Sequence, residues 1–208
     1  MIGASKAIRE VYSQVEIAAG NAATVLIEGE SGTGKELVAK AIHQAGPRAK
    51  EPFVAVDCGA IPEGLIEAEL FGAKKGSYTG AVADRPGLFE AAHRGAVFLD
   101  EISNTTPALQ VKLLRVIQER EVRRIGEAIG RPIDARLIVA SNASLETLAQ
   151  AGRFRKDLLY RLNVLHIKVP PLRSRRDDIP MLAHVFLQRL NATNKTKKYF
   201  APVIVYHL

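Results

Sequence analysis

The clearest chemical signal in this sequence is a glycine-rich stretch that could bind phosphate groups. Glycines let the backbone bend so that successive N–H groups point at phosphate oxygens, and a lysine at its end can reach the terminal phosphates of a nucleotide. The pattern G-x-x-x-x-G-K is complete, but an acidic residue stands at the eighth position, where Ser or Thr normally binds magnesium. The alternative is a strand-to-helix turn that binds nothing. The eight residues are Gly29, Glu30, Ser31, Gly32, Thr33, Gly34, Lys35 and Glu36.

The residues on either side of this stretch predict the elements that a phosphate-binding loop needs. Residues 24–27 are apolar and β-prone, and residues 37–42 have the spacing of a helix. A strand before the loop and a helix after it place the partly positive end of the helix at the phosphate. This context favours a phosphate site over a plain turn.

A second chemical signal is an apolar strand, residues 95–99, that ends in two carboxylates, Asp100 and Glu101. In α/β proteins, the carboxyl ends of parallel strands line ligand sites. We therefore expect Asp100 to hold Mg²⁺, and Glu101 to orient and deprotonate an attacking water. Two acids often mark only the end of a strand, but their position downstream of a phosphate loop strengthens the functional interpretation.

Polar residues in the second half of the chain are more ambiguous. Asn142 follows an apolar strand and could hydrogen-bond a γ-phosphate or an attacking water, but it could equally be an ordinary cap or turn residue for the helix that begins near Leu145. Arg155 and Arg161 lie among apolar residues and could either reach phosphates or be the solvated ends of a helix. The residues by themselves favour solvated arginines.

A glycine-rich segment, residues 72–81, lies between the two main signals. Its composition predicts a mobile, exposed loop. A loop that only connects two elements needs no tyrosine at its tip. A surface that contacts a partner is therefore an equal alternative to a plain connecting loop. The segment ends in Gly76, Ser77, Tyr78, Thr79, Gly80 and Ala81.

Composition describes a globular protein and excludes several classes. The chain has 208 residues, of which 47% are hydrophobic and 25% charged, as in a folded domain with a small appendage. It contains neither a membrane-spanning run nor a signal peptide. The single cysteine, Cys58, fits a reducing cytoplasm, and the five histidines share no metal-ligand spacing with it.

The net charge of +7 raises the question of nucleic-acid binding. Small basic clusters occur at residues 120–124, 173–176 and 195–198, without interleaved aromatic residues and without a recognition-helix pattern. A solvated or nucleotide-facing basic surface is therefore favoured over direct DNA binding.

Apolar periodicity predicts strands that alternate with helices, the pattern of an α/β fold with a parallel sheet. The predicted strands are 53–57 (buried), 95–100, 136–140 and 166–169, with a hairpin over 121–133. The predicted helices are 5–19 with Ser5 as its cap, one from residue 37 to near 46, 63–71 with Leu65, Ile66 and Leu70 on one side, a short one from 87, 107–120, and one from 145.

We place a domain boundary near residue 170, after which a small helical unit follows. A helix over 177–190 is expected, then a polar linker over 191–198 and a further helix from Ala201. The residues of the 177–190 helix that we expect to face inward are Met181, Leu182, Val185, Phe186 and Leu190.

These motifs together closely resemble the central AAA+ ATPase domain of bacterial enhancer-binding proteins, the activators of sigma-54 RNA polymerase. The resemblance runs from Ile2 to about Leu208. It implies a three-layer αβα sandwich (1–170) and a partial helical lid (171–208). It also implies ATP and Mg²⁺ as cofactors, ATP hydrolysis and a homo-hexameric ring in the bacterial cytoplasm. The motifs that carry it are residues 29–36, 69–72, 76–81, 98–102, 112–115, 154–155, 160–164 and 170–173.

The resemblance also assigns roles that the residues alone leave open. The family carries Glu at the position of Glu36, so magnesium would rest on Asp100, waters and the phosphates. Asn142 matches the first sensor, and Arg155 and Arg161 match arginine fingers that reach the neighbouring subunit's nucleotide. Residues 76–81 match the loop that contacts sigma-54 and drives open-complex formation.

The chain departs from the family pattern at several positions. Ser77 and Tyr78 replace the usual Ala-Phe, and Lys74 replaces the usual Glu. Asp57 stands where the family has Asn, so it would repel Glu101 instead of donating a hydrogen bond. The second sensor arginine would lie beyond Leu208, and DNA binding would require a domain outside these residues. Two alternatives stay open: a remodeler of another client, or an assembly switch that barely hydrolyses ATP.

Overall fold

A computed structural model describes residues 2–78 and 81–200 of the chain. These residues form nine strands and eight α-helices. The strands are β1 (Val25–Glu28), β2 (Phe53–Asp57), β3 (Gly72–Ala73), β4 (Arg85–Pro86), β5 (Ala96–Asp100), β6 (Glu121–Val122), β7 (Arg131–Pro132), β8 (Arg136–Ser141) and β9 (Leu165–Lys168). The helices are α1 (Lys6–Ala19), α2 (Lys35–Gln44), α3 (Glu63–Phe71), α4 (Leu88–Ala91), α5 (Pro107–Glu119), α6 (Leu145–Gln150), α7 (Lys156–Leu162) and α8 (Ile179–Asn194).

The five longer strands form one parallel sheet in the order β2–β5–β8–β1–β9. On strand β1, Ile27 lies beside Ala140 of β8 on one side and Ile167 of β9 on the other. Because all five strands run in the same direction, their carboxyl ends share one edge, where α/β sheets bind ligands. The predicted parallel sheet is confirmed.

Side chains of the sheet alternate between two buried apolar layers. On one face, Val25 and Ile27 pack with Ile42 of α2. On the other face, Leu26 packs with Leu113 of α5. A strand that is covered on both faces reads as a continuous apolar run, which is why the sequence predicted these strands well. The two layers confirm the three-layer αβα sandwich.

Helix caps and the small hairpin also agree with the sequence prediction. The Ser5 hydroxyl accepts a hydrogen bond from the Ile8 N–H at the start of α1, and Pro107 occupies the first turn of α5. Strands β6 and β7 pair in the antiparallel sense, as the 121–133 hairpin requires.

Two predictions about the placement of side chains are wrong. Strand β2 was expected to be buried, but Ala55 is exposed and Phe53 and Val54 are only half-buried. The reason is that β2 is the outermost strand of the sheet. In α3, Ile66 and Leu70 are buried while Leu65 is 46% exposed, because successive helical residues point about 100° apart.

The C-terminal helix differs most from its prediction. Helix α8 continues to Asn194, so the first part of the expected polar linker is helical. None of its residues is buried, and Phe186 is 58% exposed. Leu182 and Phe186 line a cavity instead of a core. The helix expected from Ala201 lies outside the described residues.

Asp178, just before α8, connects the segment that follows the sheet to the start of α1. Its buried carboxylate accepts hydrogen bonds from the Ala4 N–H (2.7 Å), the Ser5 N–H (2.8 Å) and the Ser5 hydroxyl (2.8 Å). Burial alone would raise the pKa of Asp178, but these hydrogen bonds outweigh it and hold the pKa below its ordinary value. The proposed boundary near residue 170 stays a prediction.

In the part of the chain that the structure describes, no helix has both the length and the apolar character that crossing a bilayer requires.

Glu28, at the carboxyl end of β1, joins three elements. One carboxylate oxygen accepts the Leu145 N–H at the start of α6 (3.0 Å), and the other lies 3.1 Å from the His166 ring on β9. Burial alone would raise the pKa of Glu28, but the bonds from His166 and Leu145 lower it below its ordinary value. The same hydrogen bond to Glu28 raises the pKa of His166 above its ordinary value of 6.5.

We expect His166→Asn to lower stability most in mildly acidic solution. Because the pKa of His166 is raised by folding, its stabilising contribution is full below about pH 6.5 and is lost as the pH rises through the folded-state pKa. A partly exposed charged hydrogen bond contributes about 1 kcal/mol, or roughly 2–4 °C in Tm. The measurement is Tm against pH for both chains, with the exposed His184→Asn as control. A difference that grows with pH would contradict the prediction.

Candidate functional site

The glycine-rich stretch forms a loop between β1 and α2, as predicted. Gly32 and Gly34 have φ angles of +78° and +97°, in the left-handed region that favours glycine. Gly29 has a different reason for being glycine, since a Cβ there would lie 2.8 Å from the Val169 carbonyl oxygen. The Thr33 hydroxyl donates to the Glu30 carbonyl (2.7 Å) and closes the turn. The loop therefore presents its backbone amides at the start of α2.

Lys35, the first residue of α2, is buried within this loop. Its ammonium group donates to the carbonyl oxygens of Gly29 (2.9 Å) and Glu30 (3.2 Å). The side chain thus arches back over the loop instead of extending into solvent. A positive charge held beside oriented backbone amides is a site for phosphate oxygens.

The segment that follows β9 lies against the same loop. Arg173 makes a bidentate ion pair with Glu30, with contacts of 2.7 and 2.5 Å, and Arg175 donates to the Thr33 carbonyl (3.2 Å). The hydrogen bond from Arg173 lowers the pKa of the exposed Glu30 carboxyl below its ordinary value. Two arginines of the 173–176 cluster therefore face the loop, in agreement with a nucleotide-facing basic surface.

A cavity of about 480 Å³ opens beside the loop, within the range of small-molecule pockets. Its polar end is the loop from Glu30 to Gly34, and its other walls are mainly apolar. Sequence reasoning missed this cavity, because the apolar residues of α8 were assigned to a core. Phosphate donors at one end and apolar walls at the other fit a nucleotide. The apolar walls comprise Ile2, Ile8, Leu37, Val38, Val169, Pro171, Leu172, Leu182 and Phe186.

The two predicted carboxylates stand at the carboxyl end of β5. Asp100 accepts the Glu101 N–H through one carboxylate oxygen (2.9 Å), and Glu101 accepts the side-chain amide of Asn104 (2.8 Å). Glu101 has a φ angle of +53°, an uncommon conformation for a non-glycine residue that costs roughly 1 kcal/mol. Such strain is found mainly at functional sites.

The described residues contain no cluster of three or more His, Cys, Asp or Glu side chains that could hold a metal. Asp100 nevertheless offers the hard oxygen ligand that Mg²⁺ prefers, and Mg²⁺ commonly takes its remaining ligands from water and substrate phosphates. The site therefore fits magnesium that arrives with a nucleotide.

Asp57 lies close to Glu101, as its position in the sheet requires, because it pairs in register with Asp100. One Asp57 oxygen accepts the N–H groups of Gly59 (2.8 Å) and Ala60 (3.2 Å). A Cβ on Gly59 would lie 2.5 Å from a Glu101 carboxylate oxygen and 3.3 Å from Asp57 Oδ1. The two carboxylates thus flank Gly59.

The pKa of Cys58 reflects the negative charge of the carboxylates around it. Burial, followed by the charges of Asp57, Asp100 and Glu101, raises the pKa of the Cys58 thiol to about 12. The thiol therefore stays protonated at neutral pH and is a poor nucleophile.

Asn142 follows β8, the strand between β5 and β1. It therefore lies between the acidic pair and the phosphate loop along the sheet edge, and it accepts a hydrogen bond from the Ser103 hydroxyl (3.3 Å). Asn142 is not the helix cap, because Ser144 caps α6 through the Thr147 N–H. The cap is thus excluded, and two interpretations stay: a turn residue, or a contact with a γ-phosphate or an attacking water.

The two predicted arginine fingers do not join this cluster. Arg155 is exposed and pairs with Asp157 at 3.0 and 2.6 Å. Arg161 is also exposed and lines a different cavity, at the amino ends of the strands. Within this one chain, neither guanidinium contacts the phosphate loop.

The described part of the 76–81 loop is less exposed than expected. The Gly76 N–H donates to the Ala81 carbonyl (2.8 Å), and the Ala81 N–H donates to the Tyr78 carbonyl (3.0 Å). Ser77 and Tyr78 are half-buried. Thr79 and Gly80 lie outside the described residues.

The loop is less exposed because its base packs on the β6–β7 hairpin. The Ile125 N–H donates to the Gly72 carbonyl (2.9 Å), the Lys74 N–H donates to the Ile125 carbonyl (3.0 Å), and a Cβ on Gly126 would lie 2.6 Å from Ser77 Cβ. Lys74 pairs with Asp84 at 2.7 Å. The sequence predicted the hairpin but not this contact.

Comparison with known proteins decides the family. Residues 1–168 match the family model described as the sigma-54 interaction domain. This chain belongs to the sigma-54 interaction domain family. The resemblance inferred from the sequence is confirmed.

Relatives of this sigma-54 interaction domain are regulatory proteins. It is 51% identical to the Nif-specific regulatory protein of Herbaspirillum seropedicae over 94% of the chain and 36% of that protein. It is 52% identical to the response regulator PilR of Pseudomonas aeruginosa over 91% of the chain and 43% of that protein. The chain thus spans less than half the length of these relatives.

Solved structures show the same fold. NtrX from Brucella abortus in complex with ADP matches with a TM-score of 0.90 and 35% identity, over 97% of this chain and 44% of that one. A more distant match to Hsp104 with ATPγS and casein (TM-score 0.60, 21% identity, 82% of this chain and 32% of that one) shows the fold alone. The sigma-54 interaction domain described here has the P-loop AAA+ NTPase fold.

Proposed function

We propose that this domain binds ATP with Mg²⁺, hydrolyses it, and uses the cycle to act on sigma-54 RNA polymerase holoenzyme and drive open-complex formation in the bacterial cytoplasm. The observation that carries the proposal is the common sheet edge, on which the phosphate loop, Asn142 and the pair Asp100–Glu101 stand in a row. The complexes of NtrX with ADP and with ATP support the choice of nucleotide.

In this proposal the phosphate loop holds the nucleotide. The backbone amides of residues 29–36 donate to phosphate oxygens, Lys35 neutralises their charge, and the apolar cavity takes the base. Asp100 would hold Mg²⁺ together with water and the phosphates. Magnesium, when bound, would neutralise charge on the transferring phosphate.

Glu101 is the proposed general base. Its carboxylate is held by Asn104 and stands at the sheet edge, where it orients a water and accepts its proton. Asn142 is the proposed sensor, because a side-chain amide between Glu101 and the phosphate loop can hydrogen-bond the γ-phosphate or the water. Glu36, on the exposed side of α2, pairs with Lys40 (2.6 Å), so we assign it no ligand role.

Arg155 and Arg161 are proposed to complete the active site of a neighbouring copy. Both are exposed, and neither contacts the phosphate loop of its own chain. This is the arrangement that a finger supplied in trans requires. Such a finger accelerates hydrolysis by roughly a thousandfold or more. Hydrolysis would then depend on a homo-hexameric ring, in which residues 171–208 serve as a partial lid.

The proposed contact with sigma-54 is the loop Gly76–Ala81. The base of this loop rests on the β6–β7 hairpin, and α5 connects that hairpin to the region of Glu101. A change at the catalytic edge therefore has a continuous packed path to the loop. Tyr78 keeps an aromatic ring at the contact and adds a hydroxyl.

The second candidate function is an assembly switch that binds nucleotide but barely hydrolyses it. The pair of carboxylates that flank Gly59 favours it, because Asp57 repels the charge of Glu101 instead of donating to it. A remodeler of a client other than sigma-54 is the other alternative, since the fold does not determine the client.

Lys35→Ala should weaken ATP binding by roughly a hundredfold, because the loop loses the charge-assisted hydrogen bonds to the phosphates. The measurement is a calorimetric titration with ATP and Mg²⁺. Lys40→Ala, on the exposed side of the same helix, is the matched control and should bind as the unchanged chain does. Equal affinities for all three chains would refute the phosphate site.

Gly59→Ala should lower ATP hydrolysis by roughly tenfold to a hundredfold while ATP affinity is kept, because the new methyl group displaces the Glu101 carboxylate. Gly64→Ala is the control, since a Cβ there meets nothing within 4 Å. Phosphate release per protomer is measured over a range of protein concentrations. A steep rise with concentration supports catalysis in trans. A slow rate that neither concentration nor Gly59→Ala changes would favour the switch.

Thr79→Ala should leave ATP hydrolysis intact but abolish sigma-54 binding in the presence of a transition-state mimic of ATP, because the loop would lose a polar contact at its centre. Co-sedimentation with purified sigma-54 measures the effect. The control is Thr196→Ala, near the end of the described chain. Unaltered sigma-54 binding by Thr79→Ala would favour another client.

A further inference from the structure

A second cavity, of about 330 Å³, lies at the amino ends of the strands, on the edge opposite the phosphate loop. Residues at or next to the starts of β1, β5 and β8 form part of its wall: Thr24, Val97 and Arg136. No residue that lines this cavity also lines the cavity beside the phosphate loop. The cavity is large enough for a small ligand, at the lower end of the usual range.

The charge of this cavity is positive and has no matching acid in its lining. Three arginines line it, Arg120, Arg136 and Arg161, together with no Asp or Glu. Asp134 lies in the chain between the lining residues Ile133 and Ala135, and its carboxylate pairs with Arg48 at 2.7 Å. Hydrogen bonding from Arg48, and then the charge of Arg120, act to lower the pKa of Asp134 below its ordinary value. The described residues that line the cavity therefore supply no carboxylate to balance its three arginines.

Arg136 is buried, with an exposed fraction of only 7%. Its positive charge is therefore shielded from water, which makes the charged form less stable. Its guanidinium donates to the neutral Ala18 carbonyl, and its Nε has no hydrogen-bond partner among the described residues. Burial, and then the charge of Arg48, lowers the pKa of Arg136 from its ordinary value. Buried charges in proteins are normally paired with a group of opposite charge. The described residues provide none for Arg136, so a bound anion would fill this role.

The mouth of the cavity adds two further features. Arg120 and Arg161 are exposed, so the cavity carries charge at both its base and its opening. Tyr160 (81% exposed) and Val164 (56% exposed) present apolar surface beside them. Guanidinium groups bind phosphate in a bidentate manner, and an exposed aromatic ring can stack on a planar group.

We propose that this cavity binds a small phosphate monoester with a ring-sized body, its phosphate on Arg136 and Arg120 and its ring against Tyr160. The site is separate from the phosphate-loop cavity of the same chain. Since Arg161 also lines the cavity, an occupant there would lie beside one of the proposed trans fingers.

The test uses phenyl phosphate as the probe, titrated calorimetrically into the full chain carrying Lys35→Ala, so that the phosphate loop is disabled. We expect saturable binding with one site. Arg136→Gln and Arg120→Gln should each weaken it by roughly tenfold to a hundredfold. The control Arg153→Gln removes an exposed arginine that does not line the cavity and should leave binding unchanged.

Each outcome decides the proposal. Absence of saturable binding overturns it, and so does an equal loss in Arg153→Gln, which would indicate a general charge effect. Phenyl phosphate that binds only when Lys35 is present would place the phosphate on the loop and also overturn it. If Arg136→Gln fails to fold by circular dichroism, the surface variant Arg120→Gln decides alone. Tyr160→Ala should weaken phenyl phosphate more than inorganic phosphate, and an equal effect on both would refute the ring contact.

Discussion

The parallel ladder of β5, β8 and β1 is the constraint on which the proposed active site depends. Each strand ends at the same edge, and each is followed directly by a polar group of the site: the pair Asp100–Glu101, then Asn142, then the loop from Gly29. A slip of one residue in any strand would turn its apolar side chains to the wrong layer. The two apolar layers that stabilise the sheet therefore also hold the chemistry in register.

The phosphate loop adds a second constraint, because its backbone conformation needs glycine at particular positions. Gly32 and Gly34 adopt left-handed φ angles, while Gly29 allows the Val169 carbonyl to approach. The segment after β9 then returns to the loop through Arg173 and Arg175. The chain after the sheet thus contributes to the proposed nucleotide cavity. Movement of that segment would break or shift its contacts with Glu30 and Thr33 in the loop.

Charge is distributed unevenly over the molecule. Three carboxylates, Asp57, Asp100 and Glu101, gather around Cys58 at the catalytic edge. Arginines gather beside the phosphate loop and again around Arg136 at the opposite edge. The net charge of +7 is therefore not a uniform basic surface. Part of the positive charge lies in two separate concave sites that suit anions, and the sequence has no nucleic-acid recognition pattern.

The sequence by itself determined the phosphate loop, the acidic strand and the α/β order, because each depends on local chemistry: glycine geometry, apolar runs and their end residues. It also predicted the 121–133 hairpin and the cap at Ser5. These features need no knowledge of distant residues, and the observed strands and helices agree with them.

Only the tertiary structure decided what depends on residues far apart in the chain. Strand β2 is an edge strand, so Ala55 is exposed, and α8 turns Leu182 and Phe186 towards the loop cavity instead of a core. The contact of Gly59 with Glu101, the packing of Ser77 on Gly126 and the unpaired Nε of Arg136 have no signal in local sequence. Local periodicity tells which residues are apolar, but strand order and chain crossing determine which neighbours they meet.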